Sequence, residues 1–299
     1  MRMIRSTSMN DTVTFTSNVP ENDHAAYNSS TTYALGARVI VVADHAVYES
    51  AETGNQGNTP SLSSQWLRVG STNRWRAFDN KTGQATQRSG SITYAITLPA
   101  LCTAVAMVGL QGRFAKVVIK DQGTKIYEKT IQLLDVNSIN SYFTYRTFQP
   151  MFEFDSQALF EDVPGDVGNV LEITIDATGG TAAVGEIVFG KGEVLGGSLE
   201  GTEIGFDDLS IISRDPFGNV EIVDRGSYNE VTFRFAIPIG GEGRVRKLIS
   251  TVQAKPALFY ASADITSRGT TIFGLAKPLR IPLAVAGVSF ATLEVEELS

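Results

Sequence analysis

The chain has 299 residues, 25 of them basic and 32 acidic, giving a net charge of −7 and a pI near 5.0. Such a field repels phosphate backbones and anionic lipid, which sets nucleic acid and membrane insertion aside, while 42% hydrophobic content suffices for two or three cores. There is no membrane-length apolar run, and the start "MRMIRSTSMNDTVTF" lacks the apolar centre of a secretion signal, so the expectation is a chain made in the cytoplasm.

Residues 1–24, rich in Ser, Thr and Asn and closed by Pro20, carry little apolar pattern and read as an N-terminal arm. Residues 25–72 read as a tiny module: two short strands, "ARVIVV" and "AVYES", then a Gly/Ser/Asn loop that ends on Trp66. A module this small has room for few core side chains, so its large aromatics must supply most of the buried area. Tyr27, Tyr33, Tyr48 and Trp66 are therefore candidates first for packing, and second for stacking on the C–H faces of sugar rings.

Residues 73–197 bring a series of strand signals. In "TYAITL" Tyr94, Ile96 and Leu98 alternate with small or polar residues, and in "LEITIDA" Leu171, Ile173 and Ile175 do the same, so each strand has one buried face and one wet one. The denser "AVAMVGL" and "AKVVIK" read as central strands, and "KDQGTKIY" supplies a hairpin turn. Short strands with turn punctuation predict a β-sandwich. Cys102, the lone cysteine, falls in an apolar run and reads as a buried, inert thiol. Arg74, Trp75 and Arg76 in "NRWRAF" have two readings, a cationic and aromatic docking patch for protein partners or a plug at the base of the sandwich.

The Gly-rich stretch "GKGEVLGGSLEG", residues 190–201, reads as a linker and domain boundary. Beyond it, residues 198–299 predict a small β-rich α+β domain with one helix. "VTFRFAI" places Val231, Phe233, Phe235 and Ile237 on one strand face, and "RVRKLISTVQAK" has Val245, Leu248, Ile249 and Val252 at helical spacing.

No constellation in the chain points to catalysis. His24 and His45 lie in no nucleophile elbow and no zinc spacing. The carboxylate pairs Glu153/Asp155 and Asp207/Asp208 could be offered to glycoside cleavage, and the second pair to a hard cation, but exposed strand or turn acids are the simpler reading. The expectation is a non-enzyme with no metal and no cofactor.

Two stretches resemble known families. The order Tyr33, Gly36, Val39, Tyr48, Gly57, Pro60, Trp66 is similar to the small chitin-binding type of carbohydrate-binding module, with Tyr27 standing for its early aromatic. The family's further sugar-platform tryptophan has no counterpart in "ESAETGNQ". The runs "STNRWRAFDNKTGQAT" and "AAVGEIVFGKGEVLG" resemble the galactose-binding-like jelly roll of structural proteins in tailed bacteriophages, and "RDPFGN" and "VDRG" resemble the region that follows it there. The resemblance implies a mainly β virion protein of the tail tip, baseplate or fibre attachment. It would be homo-oligomeric in a symmetric assembly, partnered by other tail proteins, and able to meet host surface polysaccharide. The alternative it leaves is a lectin-like receptor-recognition protein with no scaffold role.

Overall fold

The computed structural model describes residues 1–10, 12–133, 141–147, 156–214, 217–262, 269–283 and 287–298. Strands β1 (Arg2–Arg5) and β2 (Phe15–Ser17) precede a unit of three, β3 (Arg38–Val41), β4 (Ala46–Ser50) and β5 (Trp66–Ser71). There follow β6 (Thr86–Thr97), β7 (Cys102–Val108), β8 (Phe114–Asp121), β9 (Thr124–Gln132), the six-residue helix α1 (Tyr142–Thr147), β10 (Gln157–Gly165), β11 (Val170–Val184) and β12 (Glu186–Gly190). The last part holds β13 (Gly192–Val194), β14 (Gly197–Ser198), β15 (Glu203–Asp208), β16 (Ile211–Arg214), β17 (Val220–Val223) and β18 (Ser227–Pro238). Helix α2 (Glu242–Thr251) then leads to β19 (Ala257–Tyr260), β20 (Ile272–Ala276) and β21 (Val288–Glu297). The protein is mainly β, with its longest helix near the C-terminus, as the sequence predicts.

A five-stranded antiparallel sheet, in the order β2-β6-β11-β8-β9, faces a three-stranded one, β10-β7-β12. Between them lies a core that includes Tyr94, Ile96, Leu98, Met107, Leu171, Ile173, Ile175 and Phe189. The alternation read from "TYAITL" and "LEITIDA" is this inward face, paired directly as Ile96↔Leu171 and Tyr94↔Ile173. The β8–β9 hairpin turns on Gln122 and Gly123, both at positive φ, a geometry matched to the twist of the strands it joins.

The density of "AVAMVGL" has a different cause from its neighbours'. The outer face of β7 and β12, with Ala104, Ala106, Val108 and Val188, packs against Ile4, Leu258, Tyr260 and Phe273 of a third sheet. The middle sheet is thus buried on both faces, which removes the polar alternation from its strands. That third sheet runs β13-β1-β19-β20-β21-β18-β14, with β15 also paired to β18. Its far face is covered by α2, where Val245, Ile249 and Val252 meet Phe233, Phe235, Phe259 and Leu293.

Two expectations about boundaries change. Residues 1–24 are not an arm: β1 is hydrogen-bonded between the edge strand β13 and β19 of the C-terminal sheet, and β2 forms an edge of the sandwich. Met3 and Ile4 are both fully buried, on opposite faces of β1, so the segment is too short and too evenly apolar to show a period. Nor are residues 190–201 a linker. They contain β13 and β14 of the same sheet, and Leu195 enters its core. Gly196 serves close approach there, since a Cβ would stand 2.4 Å from the Ala236 carbonyl oxygen.

The small module has three strands rather than two, because Trp66 opens β5 instead of closing a loop. Its long loop is held by one buried amide. Asn55 Nδ2 donates to Ser50 Oγ (3.1 Å) and to the Gln65 carbonyl (3.2 Å), while Tyr33 N donates to the Asn55 carbonyl (2.8 Å). Buried polar groups need such partners, and here they substitute for the missing apolar pattern.

Candidate functional site

The four aromatics proposed for sugar stacking all belong to the core of the small module. Trp66 and Tyr48 are buried, Tyr27 and Tyr33 half-buried, and all four join Val39, Ala46 and Val41 in one cluster. Tyr27 and Tyr33 stack at 6.0 Å, and Trp66 meets both edge-on, at 5.9 and 5.1 Å. The indole N–H of Trp66 donates to the Asn58 carbonyl (2.9 Å), which ties the ring to the loop. Such edge-on packing is the preferred arrangement of neighbouring rings.

Arg74, Trp75 and Arg76 do dock, but inside the chain, at the junction of the small module with the sandwich. Trp75 is 9% exposed, stacked on His45 at 3.9 Å and met edge-on by Phe15 at 4.8 Å. Arg74 Nε donates to the Val19 carbonyl (2.7 Å), and Arg76 pairs with Asp23 (3.2 Å). Glu21 accepts from Thr72 Oγ1 (2.7 Å) and lies 3.2 Å from the His45 ring. Residues 19–23, read as part of an arm, are therefore the clamp that fixes the module, and Trp75 is largely covered by His45 and Phe15.

This junction leaves a cleft of about 650 Å³ beside Tyr48, Trp75 and Phe78, rimmed by Asp44, Arg68 and Lys81. The Tyr48 hydroxyl donates to Asp44 (3.1 Å). In a separate, smaller pocket lined by Phe78, Asn80 and Lys255, Asn80 N donates to the buried Glu186 carboxylate (3.0 Å). Burial, reinforced by the nearby Asp79, pushes Glu186 up to about 9. Cys102 is buried as read, its thiol pushed up to about 11 by burial. Of the other acids considered, Asp207 and Asp208 sit on the exposed edge strand β15, where Tyr228 Oη donates to Asp207 (2.8 Å) and Ser210 N to Asp208 (2.8 Å). Glu153 and Asp155 lie outside the described residues. Among the described residues, no group of three or more His, Cys, Asp and Glu is placed to hold a metal, and no helix is long and apolar enough to cross a membrane.

The most unusual surface is elsewhere. β15 pairs with the first half of β18, from Glu203↔Thr232 to Asp208↔Ser227, and the same two chain segments continue outward as β16 and β17. Every residue of β15, β16 and β17 is exposed. Yet the ribbon carries Ile204 (59% exposed), Phe206 (70%), Ile212 (66%) and Ile222 (66%), with Ile211, Val220 and Val223 between them. Strand alternation puts Ile211, Ser213, Glu221 and Val223 on one face of the hairpin and Ile212, Arg214, Val220 and Ile222 on the other. Both faces are therefore apolar at the base, with an acid at the outer end of one and a base at the outer end of the other. A lone two-stranded ribbon is at best marginal in water, and neither face of this one packs on a core.

In the sequence this segment is marked by the Asp207/Asp208 pair and by the motifs "RDPFGN" and "VDRG", of which residues 215 and 216 lie outside the described residues. The signal it offered was the doublets Ile211-Ile212 and Ile222-Val223, adjacent apolar pairs that in a short hairpin must face opposite ways. No protein-family model matches the chain, and no curated protein sequence matches it significantly.

Proposed function

We propose that the chain is a non-catalytic structural component of a bacteriophage tail, at the tip, baseplate or fibre attachment, and that it works by docking onto its neighbours. The observation that carries the reading is the β15–β17 ribbon, exposed along its whole length and apolar on both hairpin faces. Apolar patches of that extent mark interaction surfaces, and soluble monomers rarely keep them. The tail assignment draws on the sequence resemblance. The test is localisation: antibody-gold microscopy and mass spectrometry of purified virions of the phage that encodes the chain. Label on the tail supports the reading, whereas protein found only in the soluble lysate contradicts it.

A secondary role in host glycan contact is favoured by the junction cleft, lined by Tyr48, Trp75 and Phe78 with the charged Asp44, Arg68 and Lys81, groups that suit a saccharide's C–H faces and hydroxyls. Calorimetric titration with host envelope polysaccharide checks it. Heat that disappears in Arg68→Ala with the fold intact supports the cleft, and heat unchanged in that variant removes it.

A further inference from the structure

We propose that copies of this chain close into a ring of three or more through the β16–β17 hairpin, one face of each hairpin packing on the opposite face of the next. The inference rests on the assembly role above and names its first partner, a second copy of the chain. Leaving Phe217 aside, eight large apolar side chains between Ile204 and Val223 are 45–70% exposed. At roughly 100 Å² apiece they leave on the order of 800 Å² of apolar surface in water over β15 and the two hairpin faces together, more than a monomer usually exposes.

The arrangement on the two faces decides the kind of contact. A two-fold contact uses the same face of both hairpins, so it pairs two acid-bearing or two base-bearing faces and leaves the second apolar face of each wet. Packing the Ile211/Glu221/Val223 face of one hairpin on the Ile212/Arg214/Ile222 face of the next brings acid to base and aligns the apolar pairs at the hairpin base. Both faces of every copy are then covered. Repeated head to tail, such a contact closes into a ring when the rotation between copies allows.

Light scattering after size exclusion and native mass spectrometry of the purified full chain test the proposal. The expected mass is at least three times 32.2 kDa. Ile212→Asp with Ile222→Asp is expected to reduce the mass to one chain, with circular dichroism unchanged because neither residue supports a core. Arg214→Glu and Glu221→Arg singly weaken the assembly, and the double exchange restores it. In a two-fold contact residues 214 and 221 lie on different faces and never meet, so the double exchange would restore nothing. A monomer, a strict dimer, a larger assembly indifferent to the hairpin substitutions, or a double exchange that fails to rescue overturns the ring. The outcome is separable from localisation: a tail-bound chain that is monomeric in solution leaves the tail role standing and removes the ring, and a ring absent from virions does the reverse.

Discussion

At pH 7 the Glu186 carboxyl is protonated in the folded chain and ionised in the unfolded one, because burial and the neighbouring Asp79 raise it from 4.5 to about 9. The folded state thus holds a proton that the unfolded state has released. Its stabilisation is fully present below about pH 4.5 and is lost progressively as the pH rises to about 9. Glu186→Gln keeps an acceptor for the Asn80 N–H while removing the charge. The melting temperature of this variant is expected to lose part of the parent's decline between pH 5 and 9 and to exceed the parent's at pH 8. Parallel melting curves for the two proteins across that range would show that Glu186 does not carry the effect. Trp75 shows a different lesson at the same scale. Its flanking arginines and aromatic ring have the chemistry of an interface residue, and they form one, between the small module and the sandwich rather than between molecules.

Among the elements, what sequence could reveal depended on whether a strand had one wet face. β6 and β11 alternate cleanly because one side packs on the core of the sandwich and the other faces solvent. β1 was invisible: four residues with Met3 and Ile4 buried on opposite faces have no period to detect, and their pairing partners lie about 190 and 255 residues away. The glycines from the end of β12 onward looked like a linker, although two of them, Gly190 and Gly196, are there because backbone passes close to backbone. Gly274 in β20 is the extreme case, since a Cβ would fall 1.9 Å from the Glu296 carbonyl oxygen of β21. Gly274→Ala must therefore push β20 away from β21, at a cost of roughly 1–3 kcal/mol or more. Chemical denaturation of this variant should show a lower midpoint, and an unchanged midpoint would mean that the two strands do not cross so closely. For the candidate site, the two hairpin faces were legible in the doublets at 211–212 and 222–223, but their exposure was not, because burial is decided by what lies across the sheet.

For the whole molecule, three sheets and a helix stack in layers, with the sandwich sheet β10-β7-β12 held between its partner sheet and the C-terminal sheet. β1 crosses from the start of the chain into the last sheet, so the C-terminal unit is completed by residues distant in sequence. Against this layered body the β15–β17 ribbon stands out as the part that has strand structure and no core to explain it. Neighbouring copies, on the proposal above, supply the core that the ribbon lacks. Backbone hydrogen exchange over residues 211–223 tests this most directly, measured on the purified chain and on the Ile212→Asp, Ile222→Asp variant. Slow exchange is expected in the parent, comparable to β18, with loss of that protection in the variant alone. Rapid exchange in both proteins, as expected of an uncovered ribbon, would contradict it.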